Sequence, residues 1–230
     1  MKTVWLFCAF FLFQLSALAQ PEAALVKAVK AKLDKVKDYQ ASGKMKIDVS
    51  FINAPQSDVT VYYKRPDKFA VKKKNGISIL PKGGVSVNIN SLLFSDNYTV
   101  VTGGTAVVKG YATKVVKLLP SDDAGDVVLT TLYIDEKALL IRKAIVTTKE
   151  NGSYDMELDF GKYASFGLPD KVVFLFNAKD YKLPKGITFE YEKGGTAKKE
   201  VPKNTKGRVE ISYVSYSINK GVPDAVFVVK

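Results

Sequence analysis

From Ala41 to Phe51 the chain keeps a beat of two: Ala41, Gly43, Met45, Ile47, Val49 and Phe51 alternate with Ser42, Lys44, Lys46, Asp48 and Ser50. Successive side chains of a strand point to opposite faces, so this stretch predicts a long strand with one dry and one wet face. Strand-like runs return near Asp58–Lys64, Phe69–Lys74, Ile77–Leu80, Tyr98–Thr102, Thr113–Leu119 and Val127–Ile134. They continue near Leu139–Thr148, Tyr154–Phe160, Lys171–Asn177, Ile187–Glu192 and Arg208–Ser217. Between them lie Asn75-Gly76, Pro81-Lys-Gly-Gly84, Gly103-Gly104, Asn151-Gly152 and Gly194-Gly195, residues that accept positive φ and so predict turns. Parallel strands need long, usually helical crossovers, and the sequence offers no such series of helices. Antiparallel hairpins are therefore expected, in one domain without linker or repeat.

One helix does precede the strands. Leu25, Val29, Leu33 and Val36 recur at helical spacing between Pro21 and Asp38, with Lys27, Lys30, Lys32 and Lys35 among them, which predicts an amphipathic helix. Asn88-Ile-Asn-Ser-Leu-Leu-Phe94 reads either as a short helix with an Asn cap or as a strand. Lys193 to Gly207, with Lys198, Lys199, Lys203 and Lys206 among Gly and Pro, reads as a basic loop or long hairpin tip.

The first nineteen residues have the form of a secretory signal peptide: Met1-Lys2, an apolar run from Val4 to Phe13, then Leu15-Ser-Ala-Leu-Ala19 with small residues where a signal peptidase reads them. Cleavage is expected after Ala19, giving a single domain over 20–230 in an exported, periplasmic protein. Cys8, the only cysteine, would leave with that peptide. Disulfides, thiolate metal sites and cysteine nucleophiles would leave with it. About 210 residues suffice for one sizeable core. The formal charge of +12, or +11 without Lys2, suits anionic lipid head groups, acidic polymers or an acidic protein face, and export argues against nucleic acid.

The absence of histidine removes the usual general base, the Ser-His-Asp triad and imidazole metal ligands. Asp122, Asp123 and Asp126 cluster, but in a stretch where turn residues are expected anyway. No catalytic residue, metal site or cofactor is therefore expected, and no enzyme. Asn97-Tyr-Thr99 and Asn151-Gly-Ser153 match the glycosylation pattern without further support. Lys72-Lys-Lys74 reads as a solvated edge or an anion-docking patch. Val127-Val-Leu-Thr-Thr-Leu-Tyr-Ile134 and Val172-Val-Phe-Leu-Phe176 are apolar on both faces and need cover on both sides. A closed barrel or sandwich would supply it; so would a concavity that holds lipid.

A basic amphipathic helix, a long strand and then Tyr63-Lys-Arg-Pro-Asp-Lys-Phe69 resemble the LolA-type periplasmic lipoprotein carriers. Leu33-Asp-Lys-Val-Lys-Asp-Tyr39-Gln-Ala-Ser is similar to their helix-to-strand junction, and Lys64-Arg65-Pro66 with Phe69 to their most distinctive positions. Asn97-Tyr-Thr-Val-Val101, Val108-Lys-Gly-Tyr111, Val115-Val-Lys-Leu-Leu-Pro120 and Leu132-Tyr-Ile-Asp135 resemble the outer-membrane lipoprotein-sorting proteins of that superfamily and the MucB/RseB stress sensors. The chain departs from the carriers in a shortened region between Gly76 and Leu93 and in the basic loop near Lys198.

The resemblance implies a mainly β (α+β) fold: a strongly curved antiparallel sheet forming a half-open barrel, with N-terminal and lid helices over an apolar cavity. It implies a monomeric carrier of the acyl chains of lipoproteins or other lipids that hands them on toward the outer membrane, with a membrane transporter or an outer-membrane receptor as partner; a stress sensor of the MucB/RseB kind is the alternative. Met45, Ile47 and Val49 on the first strand and Val59, Val61 and Tyr63 on the second would line the lipid site, with Phe69 at its mouth. Spacing alone favours Arg65 as an exposed edge charge with Pro66 ending the strand; the resemblance favours an inward arginine instead, on the face that the period of two would give it with Val59, Val61 and Tyr63. The resemblance gives it the role of a latch that bonds backbone carbonyls of the lid.

Overall fold

The computed structural model describes residues 21–49, 52–73, 93, 97–121, 125–150, 152–177 and 206–228. Helix α1 (Pro21–Leu33) leads into β1 (Asp38–Val49), β2 (Ile52–Lys64) and β3 (Lys68–Lys73). The next strands are β4 (Tyr98–Val108), β5 (Tyr111–Pro120), β6 (Val127–Asp135) and β7 (Leu140–Thr148). The last are β8 (Ser153–Asp159), β9 (Lys171–Asn177) and β10 (Lys206–Ile218). All ten described strands join one sheet in the order β3-β2-β1-β10-β9-β8-β7-β6-β5-β4, each neighbouring pair antiparallel.

The sheet is curved but unclosed: β3 and β4, consecutive among the described strands, stand at the two ends of that order. Its curl is visible at the β4–β5 turn, which reaches three strands across to β8. There Lys109 Nζ lies 2.8 Å from Asp159 and 3.2 Å from Glu157. That turn is Lys109-Gly110, with φ of 49° and 85°, the two positive values a tight two-residue hairpin requires.

Three departures from the sequence reading have local causes. Gly103-Gly104 does not turn the chain: the pair stands opposite Val115 alone, a β-bulge inside β4 with Gly104 at φ 83°. β2 begins at Ile52 rather than near Asp58. Pro55 and Gln56 oppose Lys46 alone between the Met45–Ser57 and Ile47–Ala54 pairs, and a bulge is where a strand tolerates proline. Helix α1 stops at Leu33 rather than near Asp38, its end tightening through the amide of Lys35 on the Lys32 carbonyl and that of Val36 on the Leu33 carbonyl.

The buried face of α1 is Glu22, Val26, Val29 and Leu33, with Leu25 half-buried beside it. Val26, Val29 and Leu33 join Val116, Leu118, Leu132, Ile134, Ile141, Ala144, Met156, Leu158 and Val172 in one core, so the helix covers β5 to β9. Glu22 pairs with Lys114 at 3.4 Å, which anchors the first turn of the helix to β5.

On the other face, Arg142 is a bulge residue of β7 between the Tyr133–Lys143 and Ile134–Ile141 pairs. Its guanidinium is 2.8 Å from Asp135 Oδ2 and stacks 3.6 Å from the centre of the Tyr111 ring. Asp135 also accepts the Ala138 amide at 3.1 Å. Thus a strand that read as apolar on both faces meets an ion pair roofed by an aromatic ring on its second side.

The expected signal peptide, the segments Ile77–Leu80 and Ile187–Glu192, the lid stretch before Leu93 and the basic loop around Lys198 lie outside the described residues. Asp122 and Asp123 do too. Asp126 is a turn clasp, accepting the Glu150 amide at 3.2 Å.

Candidate functional site

The inner face of the sheet has two halves. Helix α1 covers β5 to β9. Over β10, β1 and β2 lies the chain between β8 and β9, which brings Tyr163 and Leu168 onto the strands. Gly167, at φ 70°, makes that path fit beneath the helix end, since a β-carbon there would stand 2.7 Å from the Leu33 side chain.

Most of the residues expected at the site converge in this second half. Met45, Val59, Val61 and Tyr63 are buried in one cluster with Val36, Tyr39, Ala41, Val71, Leu168 and Ile211. Ile47 and Phe69 pack half-buried against it. Phe69 is the register partner of Tyr63 across the β2–β3 hairpin. Val49 is the last residue of β1, paired with Ile52 at the hairpin end.

Arg65 does not take the inward place that the resemblance implies. The strand ends at Lys64, so the alternation of faces no longer governs it, and its side chain is 41% exposed at the rim. It turns toward the end of helix α1 instead. Nη1 donates to the Asp34 carbonyl at 3.1 Å, Nη2 lies 3.2 Å from the Asp34 carboxylate, and the Arg65 amide donates to the Lys37 carbonyl at 2.9 Å. Carbonyls at a helix end lack intrahelical donors, and a guanidinium offers five in a fixed fork. Asn219, just beyond β10, completes the junction: its side chain donates to the Lys35 carbonyl at 2.9 Å and accepts the Lys37 amide at 2.7 Å.

The same rim carries a second clasp. Lys64 and Lys68, on either side of Arg65-Pro66-Asp67, both reach Asp224 Oδ1 at 2.9 Å. Hydrogen bonds from Lys68 and Lys64 hold the Asp224 carboxyl below the usual range.

The sequence reading missed the aromatic character of this half. Tyr39 of β1, Tyr63 of β2, Tyr213 and Tyr216 of β10 and Tyr163 form one connected cluster. Ring centroids are 5.3 Å apart for Tyr39–Tyr63 and Tyr39–Tyr216, 4.9 Å for Tyr163–Tyr216 and 5.0 Å for Tyr213–Tyr216. A bulge helps gather them: Ser42 pairs with Ser215 but Gly43 with Tyr213, so Val214 is extra and turns outward, 69% exposed. Burial pushes the phenols of Tyr39, Tyr63, Tyr213 and Tyr216 above the usual range, so they are neutral hydrogen-bonding groups. Among the described residues no group of three or more His, Cys, Asp or Glu is placed to hold a metal ion.

No protein-family model matches the chain, and no curated protein matches its sequence. Solved structures do match its fold. An outer membrane lipoprotein-sorting protein domain from Vibrio parahaemolyticus superposes with a TM-score of 0.61 at 11% identity, over 90% of this chain and 96% of that one. A LolA superfamily protein from Nitrosomonas europaea superposes with a TM-score of 0.53 at 11% identity, over 88% and 97%. The fold is LolA-like. A DUF1329 family protein from Desulfovibrio piger shares this LolA-like arrangement, with a TM-score of 0.53 at 12% identity over 90% and 97%. The MucB structure superposes with a TM-score of only 0.29.

Proposed function

We propose that this LolA-like chain is a periplasmic, non-enzymatic carrier that binds the acyl chains of a lipoprotein or another lipid against the inner face of its sheet and passes them toward the outer membrane. The observation that carries the reading is the curved, unclosed sheet whose apolar inner face is covered, among the described residues, by helix α1, Leu93 and the β8–β9 connection, on the fold of a lipoprotein-sorting domain. The aromatic and aliphatic lining suits acyl chains. The lack of histidine suits binding rather than hydrolysis.

Energetics favour a carrier whose cover can shift. Each buried methylene contributes about 0.8 kcal/mol, so a lipid anchor is released only into another apolar environment. Transfer then depends on a difference between two apolar sites, which a small bias at the cover can tip. The Arg65–Asp34 contact is such a bias. It joins the β2–β3 hairpin to the end of helix α1, and as an exposed pair it is worth about 1 kcal/mol or less. This is a weaker latch than a buried arginine would make.

Titration of the purified chain with an environment-sensitive fluorescent fatty acid tests the reading. Saturable binding, displaced by diacylglycerol, is expected. A flat titration with the chain folded would end it.

A further inference from the structure

The tyrosine cluster holds something an acyl-chain site does not need. Tyr39 is 4% exposed, enclosed by Tyr63 and Tyr216, and among the described residues its hydroxyl has no hydrogen-bond partner. The hydroxyl of Tyr213, half-buried beside it, has none either. Their neighbours in the cluster are satisfied: Tyr216 donates its hydroxyl to the Pro169 carbonyl at 2.7 Å, and the Tyr163 hydroxyl accepts the Tyr216 amide at 3.4 Å. Burying a hydroxyl without a partner is costly, and phenylalanine would fill the same space without that cost. Two such hydroxyls in one apolar cluster therefore point to a polar atom delivered from outside the chain.

The chemistry of that atom follows from the surroundings. Burial keeps both phenols neutral, so each is a donor that can meet an acceptor. Among the described residues the charged groups around this cluster are Asp170 beside Tyr216, Lys162 with its ammonium 5.3 Å from the centre of the Tyr163 ring, and, at the rim by Tyr63, Arg65 with Asp34 and Asp67. Arg65 is engaged by Asp34 and Lys162 lies over Tyr163 rather than over Tyr39 or Tyr213, so among the described residues a carboxylate or phosphate has no adjacent counter-charge at these two phenols. A neutral carbonyl oxygen needs none. Tyr213 also packs against both the helix-covered core and the tyrosine-lined cluster, so it stands at the seam between the two halves of the inner face.

We propose that the hydroxyls of Tyr39 and Tyr213 form a subsite for the ester or amide carbonyl at the head of an acyl chain, with the methylenes running along the apolar face beyond the seam. The inference rests on the carrier reading and adds to it a preference for acylated lipids over hydrocarbon chains of equal length.

The test compares diacylglycerol with the dialkyl-ether glycerol of the same chain length, both displacing a fluorescent fatty acid, in the parent chain, Tyr39→Phe and Tyr213→Phe. The parent is expected to bind the diester about five- to tenfold more tightly, the scale of one net hydrogen bond. Each phenylalanine variant is expected to erase most of that preference while binding the ether lipid as before, and to melt no lower than the parent. Equal binding of the two lipids by the parent would overturn the subsite and leave the carrier reading standing. So would a diester preference that survives both substitutions, or a Tyr39→Phe variant that loses stability, since its hydroxyl would then have a partner within the chain. Failure of the parent to bind either lipid would overturn the carrier reading itself.

Discussion

The Arg65 guanidinium grips Asp34 twice, at 3.1 Å through the backbone carbonyl and at 3.2 Å through the carboxylate. One side chain thus ties the β2–β3 hairpin to the end of helix α1, on the rim of the tyrosine-lined half of the sheet. If helix α1 must yield for lipid to enter, this contact opposes entry and assists release.

Arg65→Leu is therefore expected to retain cargo: transfer of a fluorescent fatty acid from loaded protein to acceptor vesicles should slow about three- to fivefold, matching loss of up to about 1 kcal/mol of bias. Asp34→Asn should weaken the same contact, and the double variant should add little to Arg65→Leu. Lys73→Ala, at the end of edge strand β3 and away from this contact, should transfer at the parental rate. Parental rates for Arg65→Leu would remove the latch.

The Asp135–Arg142 pair predicts a pH dependence. Burial alone would push the Asp135 carboxyl up, but hydrogen bonds from Arg142 and the Ala138 amide outweigh it and the net direction is down. A carboxyl held lower in the folded chain contributes its full stability above its unfolded value and loses it as pH falls through the folded one. Denaturant unfolding should show the parent losing stability below about pH 4, the ordinary range of an aspartate. Asp135→Asn should be about 2–3 kcal/mol less stable at pH 7, because Arg142 keeps its charge with a weaker partner, and should have a shallower acid limb.

Gly43 tests the bulge that gathers the tyrosines. A β-carbon there would lie 2.7 Å from the Ser212 carbonyl oxygen, a backbone atom that cannot swing aside. Gly43→Ala is expected to cost about 1–3 kcal/mol by chemical denaturation. An unchanged midpoint would mean that β1 and β10 adjust their register freely.

The beat of two made most strands legible, and Lys171–Asn177 matches its observed bounds. It failed where a bulge interrupts pairing: Gly103-Gly104 read as a turn when the partner strand simply skips a residue, and the second strand was placed only from near Asp58, beyond the bulge at Pro55 and Gln56. For Arg65 the exposed direction was the one spacing favoured, and the resemblance overrode it. Parity counts only while a residue belongs to the strand, and the strand ends one residue before it. Met45, Ile47, Val59, Val61, Tyr63 and Phe69 did come together, since alternation alone sorts Met45, Val59, Val61 and Tyr63 to one face. The tyrosines were harder to see. Tyr39 and Tyr216 are far apart in the chain and become neighbours only because β10 returns to pair with β1.

The central claim is that the inner face carries acyl lipid. The most direct measurement is a mass spectrum of the organic extract from protein purified out of the periplasm, quantified against the chain. The account predicts acylated lipid near one equivalent per chain, reduced when the protein is first incubated with acceptor vesicles. Protein that is folded, exported and free of lipid, and that acquires none from donor vesicles, would contradict it.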